Sequence, residues 1–215
     1  MVIHIMKKEK MPENKGKLIV FEGVGGSGKG TQVNLLKNFL LTNNKSVLVT
    51  NEHTRDTGVG NLIENTIKKK SDEMDSTALQ VLFVADRINH SQRVILPALE
   101  KYDFVLEDRY SGSTISYAPP EQREYFLDLH KTNKILTPDL VIILNIDVRE
   151  ASERIGKRGD ADIFDTTEKM RVCLEGYHWY EKHSGHSCVW IDGKGNKKEV
   201  SERIREEIKR RGFLG

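Results

Sequence analysis

Leu18-Ile19-Val20-Phe21-Glu22-Gly23-Val24-Gly25-Gly26-Ser27-Gly28-Lys29-Gly30-Thr31 decides the reading of this chain. An apolar run leads into G-x-x-x-x-G-K, the pattern of a loop that curls around phosphate. Thr31–Leu41 follows with Val33, Leu35, Leu36, Phe39 and Leu40 at helical spacing. Strand, glycine loop and helix thus stand in the order an anion cradle needs. Glycines let successive backbone N–H groups turn inward, the helix N-terminus adds its positive end, and Lys29 supplies a point charge for the β- and γ-phosphates. The position after the lysine, where a hydroxyl usually contacts Mg²⁺, is Gly30; Thr31 is the nearest hydroxyl.

Outward from the loop, further short apolar runs occur at Val47–Thr50, Phe104–Leu106, Leu140–Leu144 and Cys188–Ile191. They are continuous rather than alternating, as in parallel strands covered on both faces. Segments of helical spacing lie between them. Ser76–Leu99 reads as one long helix that Pro97 kinks or ends. Another is expected to start near Asp165, where Asp165-Thr166-Thr167-Glu168 has capping-box spacing. A last polar helix, about Lys198–Arg210, is expected on the surface. The implied fold class is α/β: a five-stranded parallel sheet flanked by helices.

The 215 residues are 37% hydrophobic, enough for one domain, placed at residues 17–215, after a loose basic arm at 1–16 in which Met6 and Met11 offer alternative starts. Charged residues make up 31% but the net charge is only +2, which argues against a nucleic-acid binder. No apolar run has the length of a membrane span or a signal-peptide core. Two cysteines, Cys173 and Cys188, form neither a metal-type pair nor a disulfide scaffold. These features point to an intracellular, cytoplasmic setting.

Two further groups carry chemistry. Asp108 and Arg109 stand at the carboxyl end of the third strand, where α/β sheets bind ligands. If that strand neighbours the first, Asp108 can hold a Mg²⁺-bound water and Arg109 can clamp an acceptor phosphate. Phe83, Arg87 and His90 share one helix face. The ring can stack on a nucleobase and the arginine can bond its edge, while His90 reads as structural.

These residues resemble the thymidylate kinases, a family of P-loop nucleoside monophosphate kinases with a short LID. Phe21–Gln32 looks like the family's opening, and Leu82–His90 resembles its L-F-x-A-D-R-x-x-H helix. Asp108–Tyr117 is similar to its D-R-Y-x-x-S-x-x-A-Y segment. Ile95–Leu99, Pro138-Asp139-Leu140 and Ile191-Asp192 follow at family spacing. The resemblance spans about residues 17–210 and implies transfer of the γ-phosphoryl group of ATP to dTMP, with Mg²⁺, in a homodimer. It implies an ATP cradle of Gly23, Val24, Gly25, Gly26, Ser27, Gly28, Lys29, Gly30 and Thr31. Catalytic roles fall to Lys29, Asp108, Arg109, Arg154 and Arg158, the last two from a LID at about 154–165. Acceptor binding falls to Arg55, Phe83, Arg87, Arg109, Ser113, Thr114 and Tyr117, and Mg²⁺ to Asp108 and, through water, Thr31. Lys157 reads as a solvated helix-end charge.

The chain departs from the family at several positions. Gly25 stands where relatives carry an acidic residue against the acceptor's sugar; Glu22 or Asp56 could replace it. Thr57 replaces a proline in the Thr54-Arg55-Asp56 loop, Ile163 replaces a LID arginine, and Ala118-Pro119-Pro120 replaces a Gln-Gly. Two alternatives therefore stay open: a kinase for another nucleotide or nucleoside, and a nucleotide-binding sensor with little turnover.

Overall fold

The computed structural model describes residues 16–69, 74–159 and 161–214. The expected arm at 1–16, save for Gly16, and Asp160 of the expected LID lie outside them. The strands are β1 (Lys17–Glu22), β2 (Val47–Asn51), β3 (Phe104–Asp108), β4 (Leu140–Asn145) and β5 (Cys188–Asp192). All pair in parallel, in the order β2-β3-β1-β4-β5. Each expected strand is present and runs at most two residues further than its apolar core.

Alternation across the pleat sorts the apolar side chains into two layers. Leu18, Val20, Val105, Val141 and Ile143 face one cluster, which also takes in Val84, Ile115, Phe126 and Tyr177. Ile19, Phe21, Leu106, Ile142 and Leu144 face the other. That second layer is closed by α1 (Lys29–Thr42), through Val33, Leu36 and Leu40, and by the final helix at Lys197–Arg210. The final helix is polar in composition, yet Val200, Ile204 and Ile208 form a buried stripe at spacings of four. The expected surface helix is thus half of a core layer, because three apolar residues on one face suffice.

Between β2 and β3 come α2 (Gly58–Lys69), α3 (Ser76–His90), a π-helical turn (Ser91–Ile95) and α4 (Leu96–Lys101). The expected single helix at 76–99 is therefore interrupted ahead of Pro97, which sits in the first turn of α4. The ring displaces a backbone hydrogen bond there, and the wide turn absorbs the change. After β3 come α5 (Ser111–Tyr117) and α6 (Arg123–Thr132); after β4 come α7 (Val148–Arg158) and α8 (Thr167–His183); α9 is the final helix, Lys197–Arg210. The N-cap of α8 is Thr166, whose hydroxyl accepts from Lys169 N at 3.3 Å, not Asp165. A capping box does occur at α9, between Asn196 and Glu199. Among the described residues no helix is long and apolar enough to cross a membrane.

Packing of α8 on α5 brings two chain segments against the β1 and β3 ends. It depends on Gly176, where a Cβ would lie 2.5 Å from Ser116 Cα and O. Gly176→Val is expected to lower unfolding stability by about 2 kcal/mol or more, because backbone cannot yield as a side chain can. Urea denaturation checks this; an unchanged midpoint would contradict the close approach.

Candidate active site

The carboxyl ends of β1 and β3 are in register, Phe21 opposite Asp108, and Arg109 N donates to Phe21 O at 2.9 Å. Asp108 and Arg109 therefore stand beside the glycine loop, as their neighbouring strands require. Arg109 holds φ 71°, a left-handed conformation that a non-glycine residue adopts only when its surroundings enforce it.

Glu22 does much of that enforcing. It is fully buried at the end of β1. Its Oε1 accepts from Tyr110 N and Ser113 N, both at 2.9 Å. Its Oε2 accepts from Ser113 Oγ at 2.6 Å and Tyr177 Oη at 2.9 Å. Burial raises the carboxyl above its ordinary range, against these hydrogen bonds and the nearby Arg109 charge. Ser113 Oγ also receives Arg109 Nη1 at 3.1 Å, and the guanidinium lies 5.7 Å from the Tyr117 ring centroid.

The loop after β1 takes positive φ at Gly23, Gly26 and Gly28. Lys29 folds back into it, donating to Gly23 O at 2.8 Å and Val24 O at 2.9 Å. Burial, then the Arg109 charge, pulls its ammonium down to about 7. A cavity of about 580 Å³ opens here, lined by Gly25, Gly26, Gly28, Lys29, Gly30, Thr31 and Asp108 among others. Asp108 Oδ1 is buried there without a hydrogen-bond partner among the described residues.

A second cavity, about 450 Å³, lies between α2, α3, α5 and the loop after α7. Phe83, Arg87, Ser113, Thr114 and Tyr117, all expected from sequence, line it. Its aromatic wall has a third member, Phe164, whose ring lies 4.9 Å from Tyr117 and 6.3 Å from Phe83. Arg87 is spent more heavily on protein than the sequence implied. It is 1% exposed and donates to Glu52 at 2.6 Å, Thr114 at 3.0 Å and His130 at 2.7 Å. His130 accepts because burial, then Arg87, lowers it to about 3, leaving it neutral. His90, bonded to Thr50 at 2.7 Å and facing Glu52 at 3.3 Å, is structural as expected.

Arg55 is exposed yet lines both cavities. Its loop is tied to α3 by Asp86, which accepts from Thr54 N at 2.7 Å and Thr54 Oγ1 at 2.5 Å. Arg154 and Arg158 sit one turn apart on α7. Arg154 reaches Gly26 O at 3.4 Å and pairs with Glu150 at 2.6 Å, and Arg158 lines both cavities. Lys157 is exposed. The cavities share Gly25, Glu52, Arg55, Arg109 and Arg158. Two ligands would meet there, under cationic groups able to neutralise charge passed between them.

Sequence reasoning named Glu22 only as a stand-in at Gly25 and missed its bonds to α5 and α8, although a charge that ends an apolar strand is a signal for such a role. Phe164 falls in the expected LID and Asp165 reads from sequence as a helix cap; no spacing points either of them to the cavity that both line. Asp56 does not line either cavity, and Glu22 is committed to α5, so neither takes the place of a side chain at Gly25.

The model of the family described as thymidylate kinase matches residues 21–204. A probable thymidylate kinase of Methanosarcina acetivorans is 31% identical over 201 residues, covering 90% of this chain and 96% of that protein. The thymidylate kinase of Caldicellulosiruptor saccharolyticus is 34% identical over 200 residues, with the same coverage of each. The solved structure of thymidylate kinase from Candida albicans superposes with a TM-score of 0.78 at 24% identity, over 94% of both chains. That last likeness speaks for the fold.

Lys29 generates a pH prediction. Free of ligand it is largely neutral above about pH 7, while phosphate oxygens favour its charged form. Binding a nucleoside triphosphate should take up a proton, and affinity should fall between about pH 7.5 and 9, by up to tenfold per unit. Calorimetry in buffers of different ionisation enthalpy measures the uptake; pH-independent affinity would contradict it.

Proposed function

The chain belongs to the thymidylate kinase family, and we propose that it moves the γ-phosphoryl group of ATP onto dTMP, giving dTDP and ADP. The observation that carries the mechanism is the junction of the two cavities at Gly25, Arg109 and Arg158. ATP takes the glycine-loop side, its phosphates wrapped by residues 23–31. dTMP takes the other, its base between Phe83 and Tyr117 and its phosphate on Arg109.

Transfer of this kind needs positioning and charge neutralisation more than covalent chemistry. The acceptor oxygen is already anionic, so no general base is required. Lys29 holds the β- and γ-phosphates in its charged form. Arg109, fixed by Ser113 and the Gly23 carbonyl, presents its remaining N–H groups to the acceptor phosphate. Arg154 and Arg158 come from the end of α7 and the LID, and they meet charge that develops between donor and acceptor. Closing the LID excludes water, so hydrolysis loses to transfer. Ser113 and Thr114 border the acceptor, and Arg87 supports the base end from its Glu52 anchor.

The residues present fit Mg²⁺. Asp108 offers a buried carboxylate oxygen without a partner among the described residues, and Thr31 lines the same cavity. Both would hold the ion through its waters, which suits its reluctance to shed them. When bound it neutralises the triphosphate.

A cytoplasmic homodimer completes the reading. Support for a partner comes from Val81 and Val94, each 38% exposed along the segment that carries Phe83.

ADP release measured with dTMP, dUMP, dCMP, AMP, CMP and UMP tests the assignment. The expected result is a clear dTMP preference that Arg109→Ala lowers at least a hundredfold in kcat/KM, on the scale of a lost charged contact of about 3 kcal/mol. Preference for another monophosphate, or a fully active variant, would overturn it.

A further inference from the structure

Gly25 has no side chain, but the space for one is filled. A Cβ built there would overlap Asp165 Oδ1 and lie 3.1 Å from Asp165 Cγ and Ile155 Cδ1. Asp165 comes from the other side of the cleft, in the loop between α7 and α8. Its Oδ2 accepts from Asp162 N at 3.1 Å, so backbone of its own loop holds the carboxylate with Oδ1 over Gly25. The group lines the acceptor cavity together with Phe164 and Arg109. A carboxylate so near the phosphate-transfer junction repels an acceptor phosphate unless it is aimed at a donor. Burial, then the Asp165 charge, already raises the carboxyl of neighbouring Asp162, a sign of how little anionic charge this corner tolerates.

The chemistry of the acceptor narrows what that donor is; this step rests on the dTMP reading above. dTMP carries two hydrogen-bond donors, the base N3–H and the sugar 3′-hydroxyl. The base lies at the Phe83 end and the phosphate at Arg109, so the sugar crosses between them. Asp165 stands over that crossing, because Phe164 beside it touches Tyr117, and Gly25 lies at the junction. We infer that Asp165 is a positioning residue that accepts a hydrogen bond from the 3′-hydroxyl, delivered from the LID into the space a side chain at position 25 would occupy. One consequence is coupling. The sugar hydroxyl is recognised only with the LID in place, so acceptor binding and LID closure favour one another.

The test compares kcat/KM for dTMP and for 3′-deoxythymidine monophosphate, on wild-type protein, Asp165→Ala, Asp165→Asn, and the exchange Gly25→Asp with Asp165→Ala. Wild-type protein should favour dTMP by roughly tenfold or more, the scale of a hydrogen bond to a charged group. Asp165→Ala should lose most of that preference, with Asp165→Asn between the two. The exchange should restore it, whereas Gly25→Asp alone should be impaired, since two carboxylates then compete for one space. If Asp165→Ala lowers both acceptors equally, or leaves the preference intact while dTMP is still turned over, the inference is overturned and the function stands. Wild-type protein that turns over no dTMP would overturn both.

Discussion

One buried carboxylate organises this site. Glu22 ends β1 inside the protein, where an unpaired carboxylate would cost several kcal/mol. Four donors meet it: two backbone N–H groups at the start of α5, the Ser113 hydroxyl and the Tyr177 hydroxyl. Satisfying Glu22 therefore fixes the entry of α5, and with it Ser113 Oγ, on which Arg109 rests. Tyr177 brings α8 into the same bond set, so that helix is tied to the strand before the glycine loop. The left-handed backbone at Arg109 persists because both of its flanks are held.

From that anchor the remaining geometry follows in layers. The parallel sheet lines up β1 and β3, which sets Lys29 and Asp108 in one cavity and Phe83 and Tyr117 in the other, with Arg109 shared by both. The rail of α3 carries three kinds of load. Phe83 faces the cavity, Asp86 ties down the loop of Arg55, and Arg87 binds Glu52, Thr114 and His130. Fixed groups thus bound the second cavity on three sides. The fourth side belongs to the end of α7, which brings Arg158, and to the loop after it, which brings Phe164 and Asp165.

Much of this was legible in the sequence. Continuous Val, Ile and Leu runs state burial on both faces, so all five strands were readable. The glycine spacing with Lys29 has few other uses. Asp108, Arg109 and Phe83 could be placed because strand ends and helix faces are local properties. What escaped was set by long-range packing. The π-turn at Ser91–Ile95 depends on how α3 meets the sheet, and the cap of α8 shifted to Thr166 because Asp165 faces Gly25 instead. The partners of Arg87 come from β2's end, α5 and α6, which no spacing rule connects. Gly25 read as a lost contact; only the fold shows that another chain segment fills its space.

The most direct test of Glu22 as organiser is turnover by Glu22→Gln, a change that keeps shape but replaces one acceptor oxygen with a donor. The account predicts a drop in dTMP turnover of about 10- to 100-fold, corresponding to one or two hydrogen bonds lost from the Ser113–Arg109 arrangement, with ATP affinity retained. Turnover within about twofold of wild type, at unchanged KM for dTMP, would contradict it and show that Arg109 is positioned by other means.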